Sequence, residues 1–92
     1  MIVKMFAIRD AKTETYMQPF FSPTTAAAIR SFAQLANDPN SSVGQWPDDF
    51  TLFELGSFDD SVAMFETHSP HSLGLASEHQ QAPVAPNLKE VV

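Results

Sequence analysis

One segment of this chain has the apolar spacing of an amphipathic α-helix, and prolines bound it on both sides. Its apolar residues recur at the helical period and form a stripe that consists of Ala28, Ile29, Phe32, Leu35 and Ala36. The spacing predicts a helix that is capped by Ser22, has Pro23 at its first position and ends at Asn37 and Asp38 before Pro39. A single helix of this kind packs naturally across one face of a sheet.

The other apolar segments predict that sheet. Residues 2–8 are apolar on both faces, which is typical of a central strand, and residues 16–21 run extended because Pro19 blocks a helix. Residues 51–57 and 62–67 predict an antiparallel hairpin around a turn at 58–61, and residues 72–76 predict a short edge strand. We therefore expect an α+β fold: a small antiparallel sheet of three to four strands with one amphipathic helix packed on one face.

The sequence predicts one domain, residues 1–77, followed by a flexible C-terminal tail, residues 78–92. The tail is polar and contains two prolines, so it buries too little apolar surface to offset the entropy of ordering it. Between the helix and the hairpin, residues 39–50 predict a polar loop. We expect Trp46 in this loop to fold back onto the core, because an exposed indole would forgo its burial free energy.

Composition excludes several classes of protein. The chain has 92 residues and no cysteine, which rules out disulfides, thiolate zinc sites and thiol catalysis and suits a reducing compartment. The apolar run over residues 1–8 is too short for a secretion signal, and no stretch approaches the roughly 20 apolar residues of a membrane span. We expect a cytoplasmic protein that does not insert into a membrane.

The titratable residues do not predict an active site. Two carboxylate pairs, Asp48–Asp49 and Asp59–Asp60, lie at predicted turns, where aspartate is favoured by local hydrogen bonds. Three imidazoles within twelve residues, His68, His71 and His79, leave open a small metal-dependent hydrolase, but Pro70 and the tail make solvated histidines the simpler interpretation. The chain also lacks a glycine-rich phosphate loop. We expect no catalytic residue, no metal and no cofactor, and therefore not an enzyme.

Charge is distributed unevenly along the chain. The net charge is −6, yet four cations and two carboxylates give residues 1–36 a net charge of +2, and one cation and nine carboxylates give residues 37–92 a net charge of −8. Cations interleaved with aromatic rings are typical of surfaces that bind single-stranded nucleic acid. The candidate nucleic-acid-binding residues are Lys4, Arg9, Lys12, Tyr16 and Arg30. Clustering of these cations beside the tyrosine would favour direct DNA contact, and scatter would count against it.

Phe20 and Phe21 lie in the same region but are more simply explained as core residues that pack onto the first turns of the helix. A different use of the charge asymmetry is self-association, in which a basic surface of one copy meets an acidic surface of another.

Several blocks of the sequence, in order, resemble one family. The blocks are Lys4–Lys12 with Glu14 and Tyr16, Pro19–Phe21, Ala28–Phe32, Ala36–Pro39, Pro47–Gly56, Phe58–Asp60 and Ser72–Gly74. Together they cover about residues 3–78 and are similar to the small nonstructural protein of gokushovirus-type microviruses, which are tailless phages with circular single-stranded DNA genomes.

The resemblance implies a phage accessory protein in the host cytoplasm that acts when replication switches to single-stranded genome synthesis coupled to DNA packaging. It carries over no catalytic residue. The leading hypothesis is that the protein binds single-stranded DNA or the replication complex, with the phage replication initiator or the procapsid proteins as partners. The alternative is an interaction or assembly factor, either a homo-oligomer or a binder of host or phage proteins, with no direct DNA contact. The −8 charge of residues 37–92 favours the alternative because it repels phosphate.

Overall fold

The computed structural model describes residues 1–81, which form an antiparallel sheet with its helices on one side. In chain order the elements are β1 (Ile2–Asp10), β2 (Thr15–Tyr16), β3 (Phe20–Ser22), α1 (Thr25–Ala36), α2 (Ser42–Gln45), β4 (Phe50–Asp59), β5 (Met64–Leu75) and a 3-10 helix (Ala76–His79). The predicted α+β class is confirmed.

Strand β1 is the centre of the sheet. One of its edges pairs with β4, and its other edge pairs with β2 near one end and with β3 near the other. Strand β5 pairs with β4 and completes a five-stranded sheet in which every pairing is antiparallel. The sheet has more strands than the three to four predicted because two short strands share one edge of β1. In addition, the predicted strands 62–67 and 72–76 form one strand, β5, which tolerates Pro70 because it pairs on one side only.

The core lies between the sheet and the helices. Phe6 and Ile8 of β1 and Leu52 of β4 contact the buried face of α1, which includes Phe32. Both α2 and the 3-10 helix add a buried side chain to the same cluster, Val43 and Ala76. Within the described residues, no helix is both long and apolar enough to span a bilayer.

Helix α1 begins later than predicted. Thr24 is its N-cap, and the Oγ1 atom of Thr24 accepts a hydrogen bond of 3.1 Å from the backbone N–H of Ala27. The prediction that Ser22 caps the helix with Pro23 at its first position is wrong, because Ser22 is the last residue of β3 and pairs with Lys4 of β1. The apolar stripe is buried as predicted at Ala28, Phe32 and Ala36.

Two further boundaries differ from prediction. Residues 39–50 contain α2, which is capped by Ser41, so they are not entirely loop. The β4–β5 turn lies at residues 60–63 instead of 58–61, because Phe58 and Phe65 pair across the strands and extend the ladder to Asp59 and Met64.

The prediction that Trp46 folds onto the core is wrong. Its side chain is 62% exposed, and Val43 is the residue through which this segment enters the core. The predicted tail, residues 78–92, begins inside the 3-10 helix, where Gln80 donates a side-chain hydrogen bond of 2.8 Å to the carbonyl oxygen of Ala36. Residues 82–92 of that tail lie outside the described residues.

A bulge in β4 depends on glycine. Gly56 has a φ of +154°, and a Cβ atom there would lie 2.0 Å from the carbonyl oxygen of Glu66 in β5.

We expect Gly56→Ala to lower the free energy of unfolding by about 2 kcal/mol or more, since the backbone would have to move in two paired strands. Urea unfolding followed by circular dichroism measures the change. Ser69→Ala, at an exposed site of β5, is the control, and equal effects of the two substitutions would contradict the prediction.

Candidate functional site

One face of the sheet is not covered by a helix. Successive strand residues point to opposite faces, and Phe6 and Ile8 point towards α1, so Val3, Ala7 and Arg9 point the other way. Every helical segment of residues 1–81 contributes its buried residues to the cluster around Phe6. The opposite side, which we call the open face, is therefore left to strand side chains alone.

Five aromatic rings lie on the open face. Their positions follow from the strand register, in which Tyr16 lies opposite Arg9, Phe21 opposite Met5, Phe53 opposite Ala7, and Phe58 opposite both Val3 and Phe65. Directly opposed residues in an antiparallel pair share a face, so all five rings point away from α1.

The rings form two contacting groups. The ring centroids of Tyr16 and Phe53 are 5.5 Å apart in an edge-to-face arrangement. Phe58 contacts Phe21 at 5.9 Å and Phe65 at 4.6 Å. Such ring pairs contribute roughly 0.5–1.5 kcal/mol beyond their buried area, so the two groups are held in fixed arrangements.

The rings cover the small and apolar β1 residues beneath them but remain accessible to solvent themselves. Ala7 and Met5 are buried at 1% and 9% exposure, although no helix lies above them. By contrast, Tyr16, Phe21 and Phe65 are 44%, 49% and 59% exposed. Exposed groups of aromatic rings on one face of a small protein are typical of interaction sites, so the open face is a candidate binding surface.

The open face has little charge. Among the strand residues that point to the open face, Arg9 carries a positive charge. The carboxylates of the strands point to the helix side. Glu54 hydrogen-bonds to Thr25 of α1, and Glu66 shares a row with Ser57 and Lys4. Asp10 lies opposite the buried Phe50, and Asp59 lies opposite Ile2 on that same helix side.

The structure separates most of the predicted nucleic-acid-binding residues. It brings together Arg9 and Tyr16, which are cross-strand partners on the open face. Lys4 lies on the helix side, Lys12 lies in the turn after β1 beside Trp46, and Arg30 lies on the exposed side of α1. The cations are therefore scattered and do not form one basic surface.

Sequence reasoning missed four rings of the open face: Phe21, Phe53, Phe58 and Phe65. The prediction that both Phe20 and Phe21 are core residues is right for Phe20, which packs on the helix side against Phe6 at 5.7 Å between ring centroids, and wrong for Phe21, which points to the other side. The signal for this surface lies in β1, which is apolar on both faces although residues 1–81 contain one long helix to cover them.

A polar network joins α1 to the sheet on the helix side. The hydroxyl of Thr25 donates a hydrogen bond of 2.9 Å to Oε1 of Glu54 and accepts one of 3.2 Å from Nζ of Lys4. Nε2 of His68 lies 3.2 Å from Oε2 of Glu54, and Nδ1 of His68 lies 2.8 Å from the carbonyl oxygen of Ser69. Both imidazole nitrogens face acceptors, so the site fits a protonated His68.

The three histidines have separate surroundings. His68 belongs to the network with Glu54, and Nε2 of His79 lies 3.0 Å from the carbonyl oxygen of Leu73, beside the ring of Phe32. His71 is exposed in β5. In residues 1–81 no three potential metal ligands lie close enough together to hold an ion.

The network shifts two pKa values in opposite directions. Partial burial raises the pKa of the Glu54 carboxyl, but the hydrogen bonds from Thr25 and His68 and the charge of Lys4 outweigh it, so the pKa is lowered overall. The carbonyl of Ser69 and the carboxylate of Glu54 raise the pKa of His68 against a smaller opposing effect of burial. Each shift favours the charged form in the folded protein.

The pH dependence of stability follows from these signs. The contribution of Glu54 is present above its ordinary pKa of 4.5 and is lost as the pH falls below it. The contribution of His68 is present below its ordinary pKa of 6.5 and is lost as the pH rises through its higher folded value. The network therefore stabilises the fold most between these two values.

We expect Glu54→Gln to flatten the decline in stability between about pH 5.5 and about pH 8.5, because His68 would lose the carboxylate that favours its protonation. Urea midpoints at the two pH values measure the decline. Glu66→Gln removes a nearby carboxylate outside the network and should leave the decline unchanged. A Glu54→Gln variant with the wild-type decline would show that His68 titrates independently of this carboxylate.

Comparison with known proteins places the chain in a family. The family described as "Phage ORF5 protein" matches residues 3–79, which include nearly all of the sheet and helices. Neither a curated protein nor a solved structure matches the chain. The match extends over most of the 92 residues. The chain belongs to the Phage ORF5 protein family and is a bacteriophage protein.

Proposed function

We propose that this protein is a non-enzymatic accessory factor of a gokushovirus-type microvirus. Its role is in single-stranded genome synthesis and DNA packaging in the host cytoplasm, and it acts by binding a protein of the replication or packaging complex through the open face. Membership of a phage family supports the setting. The resemblance to the small nonstructural protein supports the stage of infection. The half-exposed aromatic rings of the open face are the observation that carries the binding role.

The composition of the open face favours a protein partner. The cores of protein interfaces are enriched in aromatic residues, methionine and arginine and are depleted in lysine and carboxylates. The open face has five aromatic rings and Arg9, with Met5 buried beneath the rings, and the carboxylates of its strands point to the other side. Covering the exposed parts of Tyr16, Phe21 and Phe65 contributes roughly 1 kcal/mol for each ring, since full burial of a large apolar side chain contributes about 1.5–3 kcal/mol.

Direct binding of single-stranded DNA is the second candidate. The observation in its favour is the pair formed by Arg9 and Tyr16, because a base can stack on an exposed ring while a neighbouring cation contacts the phosphate. The scatter of Lys4, Lys12 and Arg30 weighs against it, since affinity for a phosphate backbone grows with the number of cations that contact it.

We expect Phe65→Ser to weaken binding to the replication initiator or to the procapsid of the phage that encodes this chain by about tenfold or more, as for an interface hot spot. Biolayer interferometry with the purified phage proteins measures the affinity. Met17→Ser is the matched control, because Met17 is 46% exposed but lines a cavity on the helix side with Phe20 and Phe32. Wild-type protein that binds neither partner, or equal losses in both variants, would contradict the proposal.

Fluorescence anisotropy with a labelled oligothymidylate of about 20 nucleotides separates the two candidates. If the partner is a protein, we expect weak DNA binding even at about 20 mM salt and little effect of Arg9→Gln. Tight binding that declines with salt and is lost in Arg9→Gln and Tyr16→Ser would instead establish the open face as a DNA-binding surface.

A further inference from the structure

The single tryptophan of the chain is exposed although its backbone is held firmly. The N–H of Trp46 donates to the carbonyl oxygen of Ser42, and its carbonyl oxygen accepts from the N–H of Asp49, each at 3.0 Å. Ser41, which caps α2, also donates a side-chain hydrogen bond of 2.6 Å to the carbonyl oxygen of Leu35 at the end of α1. The indole is 62% exposed on this anchored segment, so a partner that binds it need not order the backbone.

The indole borders an open cavity with acidic walls. The cavity has a volume of about 310 Å³ and is lined by Asp10, Lys12, Trp46, Asp49 and Phe50. A second cavity of about 330 Å³ adjoins it and adds Gln45, Pro47 and Asp48. We call this region the Trp46 surface. It contains three carboxylates and one ammonium group, which give it a net charge of −2.

The charges of the Trp46 surface are available to a partner. Among the described residues, no ion pair involves Asp48, Asp49 or Lys12. The Oδ1 atom of Asp10 accepts a hydrogen bond of 2.9 Å from the backbone N–H of Lys12 within the turn. The Oδ2 atom of Asp10 takes no part in this hydrogen bond. A positively charged group that enters this region therefore meets three carboxylates that form no ion pair among the described residues, and one lysine ammonium group.

We propose that the Trp46 surface binds an arginine- or lysine-rich segment of a partner protein. A cation is attracted to the face of an aromatic ring, most strongly to that of tryptophan, and the neighbouring carboxylates neutralise it. Arginine is the better ligand, because its planar guanidinium both stacks on the indole and forms paired hydrogen bonds with a carboxylate. A nucleic acid strand also stacks on tryptophan, but three carboxylates repel its phosphates.

The Trp46 surface is separate from the open face. It lies where β1 ends at Asp10 and β4 begins at Phe50, and both of these residues point to the helix side. Arg9 and Tyr16 lie near this end of the sheet but point to the open face, and Phe65 lies at the other end of β4, about 30 Å away for a ten-residue strand. Because the two surfaces use residues on opposite sides of the sheet, this proposal does not depend on the proposed function.

Intrinsic fluorescence tests the proposal directly, because Trp46 is the only indole in the protein. The probes are synthetic octapeptides in which glycine alternates with arginine, with lysine or with glutamine, and an octathymidylate. We expect the arginine peptide to change the emission saturably, with an affinity that falls as salt rises, the lysine peptide to bind more weakly and the glutamine peptide to have no effect.

Variants identify the groups responsible. We expect the double substitution Asp48→Asn with Asp49→Asn to weaken the arginine peptide about tenfold, and Trp46→Ala to weaken it as much when the peptide is labelled and followed by anisotropy. Glu66→Gln, which removes a carboxylate from β5, and Phe65→Ser, on the open face, should retain wild-type affinity. The proposal fails if the glutamine peptide binds equally well, if octathymidylate is preferred, or if the double variant binds as wild type.

Discussion

One twelve-residue helix is available to cover a five-stranded sheet, and the rest of the structure depends on which face it covers. Helix α1 buries Ala28, Phe32 and Ala36 against Phe6 and Leu52, which are among the least exposed residues of the protein. This contact leaves the opposite face of β1 without a helical partner. Met5 and Ala7 are nonetheless buried there, because aromatic side chains from neighbouring strands cover them.

The same packing separates the charges of the molecule. Side chains that alternate along β1, β4 and β5 place the carboxylates of the strands on the helix side, where Lys4, Thr25 and His68 surround Glu54. The helix side therefore contains both the hydrophobic core and the strand carboxylates, and the open face contains the remaining aromatic rings. The net charge of −6 therefore says little about the open face, which is nearly uncharged.

The fold class and the helix were predictable because their signals are local. The helical period of residues 28–36 identifies the buried stripe of α1, and the short apolar runs over residues 2–8 and 51–57 identify β1 and β4. The boundaries were harder to predict, because they depend on partners distant in sequence. Ser22 belongs to β3 since it pairs with Lys4, and Phe58 extends β4 since Phe65 lies opposite it.

The candidate surfaces were less predictable than the fold. A sequence shows that β1 is apolar on both faces but not which face α1 covers, so Phe21 could not be distinguished from Phe20. The general cost of exposing an indole predicts a buried Trp46. That argument fails here because α2 contributes Val43 to the core and carries Trp46 outward. The scatter of Lys4, Arg9, Lys12 and Arg30 could not be predicted for a similar reason. The order of cations along the chain does not determine which face of the fold each side chain occupies.

The exposure of Trp46 and of the open-face rings has a common thermodynamic meaning. A chain of 92 residues buries a small fraction of its surface compared with larger domains, so each large side chain left accessible forgoes stabilisation that the fold needs. Ring pairs such as Phe58 with Phe65 hold side chains in place without burying them, and backbone hydrogen bonds hold the segment that carries Trp46. The forgone burial free energy is recovered only when another molecule covers the rings. The two proposed partners, a protein at the open face and a basic segment at Trp46, would each recover part of this free energy by covering exposed rings.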